Sequence, residues 1–268
     1  MDDLKGKTIV ITGASSGTGA AAARILHALG ANVVPIGGSR EKTEREAHDL
    51  GVPVRTINLL DLGDIRRCVE SLRADLPRID ILALNAGGVV ARHDRTRDGI
   101  EPNLQLNAIG PWLLLQGLAD RIEGGRVLAT SSRTHTTATV DPSHLDRTDG
   151  LSWHRVYARS KLVGGILLRE FGRRHPEVDV GDFHPGLIAS DMGRYMGLLG
   201  SVLKVVCRPL LGSPKDGARR LIHLAAREQS LSGGYFCDDR PARGSPQLND
   251  PALGAVLWSL AERLTDHG

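Results

Sequence analysis

The sequence predicts one α/β domain over residues 1–268: a doubly wound parallel sheet of about seven strands with helices on both faces. Three observations lead there. Short apolar runs alternate with longer helical segments from the N-terminus onward. The apolar runs show no polar alternation, as strands covered on both faces should. No repeat, low-complexity tract or stretch rich in Pro, Gly or Ser divides the chain.

Lys7–Thr12 is the first strand, and an alanine-rich helix from about Thr18 to Leu29 follows it. Ala31–Ile36 and Val52–Ile57 are the second and third strands, Ile79–Leu84 and Gly125–Thr130 the fourth and fifth. Val178–Phe183 is the sixth, after a long helix that starts near Trp153, and a short last strand lies around Gly234–Cys237. Helix-length spacers between such strands imply parallel pairing through right-handed crossovers.

Composition narrows the class. The 268 residues are 41% hydrophobic and 24% charged, ordinary for a globular protein with a sizeable core. Aromatics are only 3%, so aliphatic side chains must fill that core. The net charge of +3, with no basic stripe interleaved with aromatics, argues against nucleic acid as a partner. Cys68, Cys207 and Cys237 are too scattered for a disulfide framework or a metal motif, so no metal is expected. Met1–Lys7 is acidic, then basic, and runs into a strand, unlike a signal peptide. The apolar runs are too short for a membrane span. A soluble, cytoplasmic protein is expected.

Between the first strand and first helix stands Thr12-Gly-Ala-Ser-Ser-Gly-Thr-Gly19. Glycines at 13, 17 and 19 let the backbone turn and approach a pyrophosphate, and the helix start offers amides and partial positive charge. Within a first βαβ unit this reads as a dinucleotide site of Rossmann type. After the second strand, Gly37-Gly-Ser-Arg40 offers no acid to accept from a ribose 2′-hydroxyl, while Ser39 and Arg40 can donate to a 2′-phosphate. That favours NADP(H), with NAD(H) as the alternative and a solvated surface arginine as the plain reading of Arg40. Further on, Tyr157-Ala-Arg-Ser-Lys161 puts a phenol and an ammonium on one helix face. A free tyrosine titrates near about 10, and a neighbouring cation should lower that. The pair is a candidate general acid/base, although Tyr-x-x-x-Lys alone is a common surface pattern.

Taken together these motifs resemble the short-chain dehydrogenase/reductase family along nearly the whole chain. The resemblance rests on the Thr-Gly-x-x-x-Gly-x-Gly spacing, Asp61-Leu62 after the third strand, Asn85-Ala-Gly87 after the fourth, Ser131-Ser132 after the fifth, Tyr157 with Lys161, and Pro185-Gly186-Leu-Ile-Ala-Ser190. Leu84 replaces the family's usual first asparagine, and Thr18 its usual isoleucine. The resemblance implies a cofactor held by Gly13, Ser15, Ser16, Gly17, Thr18, Gly19, Asp61, Leu62, Asn85, Ala86, Gly87, Pro185, Gly186, Ile188 and Ser190, with Tyr157 and Lys161 reaching its ribose. It also implies a catalytic tetrad of Asn107, Ser132, Tyr157 and Lys161. In that tetrad Ser132, rather than Ser131, and Tyr157 hold a substrate carbonyl, and Asn107 supports a proton relay through Lys161. The substrate would be a small-molecule carbonyl or alcohol.

The long interval from Ser132 to Tyr157, Gly110-Pro-Trp112 and the tail around Trp258 are similar to the retinol-dehydrogenase-like branch. The apolar segment 192–211 falls where the family places a substrate lid, and a lid, a sheet cover and a subunit contact all fit it. By fold analogy a homo-dimer or homo-tetramer is expected. Two other functions fit parts of the pattern. A nucleotide-sensing regulator needs no Tyr157 or Ser132. A sugar-nucleotide epimerase shares the Tyr–Lys pair but carries a larger C-terminal substrate domain than this chain has room for. His93, His135, His144, His154 and His184 lack metal spacing and read as structural or surface groups, with His93 or His135 the candidates to face substrate. Cys68 reads as core packing.

Overall fold

The computed structural model describes residues 4–91, 94–145, 147–186 and 212–266. Ile188, Ser190, His93, Cys207 and the 192–211 segment lie outside the described residues. The strands are β1 (Thr8–Thr12), β2 (Asn32–Gly37), β3 (Arg55–Thr56), β4 (Ile81–Leu84), β5 (Arg126–Thr130), β6 (Asp179–His184), β7 (Tyr235–Cys237) and β8 (Arg240–Ala242). The helices that matter below are α1 (Gly17–Ala28), α2 (Arg40–Leu50), α3 (Leu62–Asp75), α4 (Pro102–Leu104), α5 (Gly110–Gly117), α6 (Trp153–Arg174), α7 (Pro214–Ala225) and α8 (Pro251–Asp266).

The sheet runs β3-β2-β1-β4-β5-β6-β7-β8. It is parallel through β7, and β8 pairs antiparallel with β7. The chain thus folds as one doubly wound domain whose strand order reverses at β1/β4, where such sheets open a crevice at the strand C-termini. Alternation along each strand feeds two cores. Val10, Leu82 and Val127 pack beneath α3, α5 and α6. Ile9, Ile11, Ile81, Ala83 and Leu128 pack beneath α1 and α7. Both faces are apolar, which is why no polar alternation shows in the sequence.

Two edge strands depart from expectation. The third strand shrinks from Val52–Ile57 to Arg55–Thr56. Pro53 lacks a ladder donor, and Val54, 45% exposed, has no second face to bury. The eighth strand is additional to the expected seven. Asp238 and Asp239 take φ of 51° and 64°, the positive values a two-residue hairpin turn requires, and bring Arg240 back beside Cys237.

Candidate active site

Three strand ends meet at the crevice and are tied by two threonines and one asparagine. The Thr12 hydroxyl accepts from the amides of Asn85 and Ala86, each at 3.0 Å. Asn85 Nδ2 donates to the Thr12 carbonyl at 3.0 Å, and Thr130 Oγ1 donates to Asn85 Oδ1 at 3.1 Å. β1, β4 and β5 are thereby locked although Leu84 stands where the family carries an asparagine.

The loop above this knot is built for close approach. Gly13 takes φ of +70°, and a Cβ there would lie 2.9 Å from Ala86 Cα. A Cβ on Gly19 would lie 2.4 Å from the Gly13 carbonyl oxygen. The N-cap Ser16 makes no side-chain bond to α1, and no acidic residue sits in its first turn. This helix start therefore keeps its partial positive charge for an anion. Gly13, Ser15, Ser16, Gly17, Thr18, Asn85, Ala86, Gly87 and Pro185 line one continuous cleft with Tyr157 and Lys161. A cradle of backbone amides and glycines at a topological switch point fits the pyrophosphate of a dinucleotide.

The structure places other expected cofactor residues elsewhere. Asp61 caps α3, accepting from the Asp64 amide at 3.0 Å, and pairs with Arg97 at 2.8 Å; Leu62 is buried in the core. The cleft wall there is Ile57, Asn58 and Leu59. Ser39 is the N-cap of α2, and Arg40, its side chain 83% exposed, pairs with Glu44 at 2.8 Å. Gly38 forms the rim at that point. Lys42 and Arg45, which sequence reasoning passed over, line a groove with Ser15, Ser16 and Gly17. The signal was their spacing of three on α2, which sets them on one face. Gly186 takes φ of +92° just beyond β6.

At the other end of the cleft the tetrad converges. Tyr157 and Lys161 stand four apart on α6, 5% and 7% exposed. Ser132 is hydrogen-bonded to the Tyr157 phenol. Ser132 Oγ also accepts from Thr134 Oγ1 at 3.0 Å, while Ser131 faces His135. Lys161 Nζ donates to the Thr130 carbonyl at 2.9 Å. Asn107 sits in a π-helical turn, Gln105–Ile109, between α4 and α5. Its Nδ2 donates to the carbonyls of Gly88 (2.9 Å) and Asn103 (3.1 Å), and its Oδ1 accepts from the Gly88 amide (3.1 Å). The widened turn lets α6 come close: a Cβ on Gly164 would lie 2.6 Å from the Asn107 carbonyl oxygen.

The electrostatics differ from the sequence expectation. Burial pushes the Tyr157 phenol up to about 12, with the Ser132 bond pulling the other way. Burial also pushes Lys161 down to about 8, with Asp182 opposing. The expected lowering of Tyr157 by its lysine does not occur, because desolvation outweighs it and the ammonium is turned to Thr130. His184 falls to about 4 through burial and then the nearby Arg133 and Arg220. His135 is fully buried behind Ser132, and His144 and His154 are exposed. Cys68 is core, its thiol pushed up to about 11 by burial.

A crevice at the switch point, a glycine cradle and a Tyr–Lys–Ser cluster together define a nucleotide-dependent oxidoreductase. The family model described as short chain dehydrogenase matches residues 7–197. The chain belongs to the short-chain dehydrogenase/reductase family, in its retinol-dehydrogenase-like branch, and is an alcohol/carbonyl oxidoreductase. A Streptomyces sp. (strain C5) protein named for daunorubicin C-13 ketoreduction, DnrU, is 36% identical, covering 95% of this chain and 91% of its own. Human retinol dehydrogenase 12 is 30% identical, covering 96% and 86%. Among solved structures, an uncharacterized Mycobacterium paratuberculosis protein superposes with a TM-score of 0.80 at 27% identity, covering 98% and 94%. A metagenomic blue fluorescent protein in complex with NADPH gives 0.67 at 25%, covering 88% and 97%. No helix among the described residues is long and apolar enough to cross a membrane.

Proposed function

We propose that this protein is an NADP(H)-dependent carbonyl reductase that works through the tetrad Asn107, Ser132, Tyr157 and Lys161. The observation that carries the reading is the hydrogen bond joining Ser132 to Tyr157, which with Lys161 lines the cleft that begins in the glycine-rich loop. A carbonyl oxygen lying between those two hydroxyls receives two donors, which stabilises the negative charge that develops on it. When bound, the nicotinamide supplies a hydride to the carbonyl carbon. Tyr157 supplies the proton to the oxygen, so the carbonyl takes up hydride and proton to become an alcohol. With its phenol pushed up to about 12, Tyr157 holds that proton at neutral pH, the form that donates to a carbonyl oxygen. Lys161, between the Thr130 carbonyl and Gly87, provides positive charge within the cleft and a donor toward the cofactor ribose.

The preference for NADP(H) is supported by the absence of an acid at the end of β2 and by Lys42 and Arg45 beside Ser15 and Ser16. A bulky lipophilic ketone or aldehyde is the proposed substrate class, since the relatives are named for retinol and for daunorubicin. The test is fluorescence titration with NADPH and NADH, followed by turnover on a carbonyl panel by wild type and Tyr157→Phe. NADPH binding retained by the variant, with turnover lost, is the expected result. Full turnover by Tyr157→Phe would sink the mechanism.

A further inference from the structure

Helix α6 carries Lys161, Gly165 and Arg169 at successive turns of one face. The middle position has no side chain, and the side chains packed against it are those of Leu248, whose Cδ2 lies 2.7 Å from where a Cβ on Gly165 would stand, Arg169 and, from β6 of the sheet, Asp182. Asp182 is fully buried, and its Oδ2 lies 3.6 Å from where a Cβ on Gly165 would stand. Its Oδ1 accepts from Arg169 Nη2 at 2.8 Å, and Arg169 Nη1 in turn donates to the Gly165 carbonyl at 2.9 Å. Among the described residues, Oδ2 has no hydrogen-bond partner. Asp182 lines a pocket with Lys161, Asn107, Thr130, Ser131 and Gly164.

A buried carboxylate held on one side by a guanidinium and facing a cavity shared with an ammonium is a counter-charge for that ammonium. We propose that Asp182 is a positioning residue for the reductase site: across the pocket that both line, its carboxylate keeps Lys161 charged. The proposal rests on the reading of Lys161 as part of that site.

The other groups around Asp182 leave it this role. His135, from the turn after β5, sets Nδ1 against the Ser132 carbonyl, where it can only donate. Burial drives its pKa below the ordinary value, with Asp182 opposing. Tyr235 of β7 sits opposite Asp182 in register, and its phenol is pushed above the ordinary range by burial. Tyr157 is likewise held neutral by burial, and so is His184 at the end of β6. Among the described residues, the charges that face Asp182 near neutrality are those of Arg169 and Lys161.

The experiment is a pH titration of Lys161 by NMR in protein labelled with 13Cε-lysine, the resonance assigned by its loss in Lys161→Arg. In Asp182→Asn the midpoint should fall by about one pH unit. In Arg169→Gln, which leaves the carboxylate to Lys161 alone, it should rise. The alkaline limb of the kcat–pH profile should move in the same directions. If Asp182→Asn does not fold with Arg169 unpaired, Asp182→Asn/Arg169→Gln removes both charges and should again lower the midpoint. A midpoint that stays put in folded variants overturns the counter-charge. Shifted midpoints with an unmoved rate profile would sink the role of Lys161 in turnover instead, which separates the two claims.

Discussion

Gly87→Ala tests the assembly of the site at its tightest point. A Cβ on Gly87 would lie 2.8 Å from Asn107 Oδ1 and 2.9 Å from Lys161 Nζ, closer than carbon tolerates to either. One of the two must yield. Asn107 is pinned through Gly88, Asn103 and Ser160, whereas Lys161 ends a flexible chain whose one bond among the described residues is to the Thr130 carbonyl. The ammonium should therefore move and that charge-assisted bond should break, a loss of roughly 1.5–3 kcal/mol. If Lys161 acts in the transition state, kcat falls about 10- to 100-fold. The assay is steady-state reduction at saturating cofactor, with thermal melting alongside to show that the fold survives. A kcat within about twofold of wild type in a folded variant would show that the position of Lys161 does not matter to turnover.

Three further outcomes follow from the same geometry. Thr12→Val leaves the Asn85 and Ala86 amides without their shared acceptor, costing roughly 2–4 kcal/mol if each orphaned donor costs about 1–2. Calorimetry should show Tm lower by about 4–7 °C, and an unchanged Tm would refute the strand-end knot. Lys42→Ala/Arg45→Ala should weaken NADPH binding at least about tenfold while sparing NADH, read by fluorescence titration, because each removes a charge beside the Ser15–Ser16 loop. Equal losses for both cofactors would remove the 2′-phosphate from that groove. In the kcat–pH profile for reduction, activity should hold through neutrality and fall as pH rises past about 8, since the folded-state pKa of Lys161 is lowered and the ammonium is present only below it. A profile flat to pH 10 would show that the charge on Lys161 is not required.

How much of this was legible in the sequence depended on whether the signal was local. β1, β4 and β5 read as strands because both faces are buried, which makes their central residues apolar whatever their direction. At the edges that signal fails. Val52 and Val54 look like strand residues, yet Pro53 and solvent shorten β3, and nothing in Arg240-Pro-Ala242 marks a strand before the Asp238–Asp239 turn folds it back. The spacing of Tyr157 and Lys161 was equally local. The Arg40–Glu44 pair was there to be read at a spacing of four, and it explains why Arg40 turns outward while Lys42 and Arg45 meet the loop.

The state of the Tyr–Lys pair was not local, and the sequence argument reversed its sign. Spacing shows that a cation stands near a phenol; it does not show how dry both groups are. Desolvation acts in opposite directions on the two, raising the phenol and lowering the ammonium, so burying them together works against the ion pair that spacing suggests. The charge on Lys161 must then be supported from outside the pair. Its support comes from β6, through a carboxylate that no motif includes and that lines one pocket with the lysine. A tetrad read from spacing names the reacting groups. Their protonation is set by residues such as Asp182 and Arg169, which the fold brings together from separate elements.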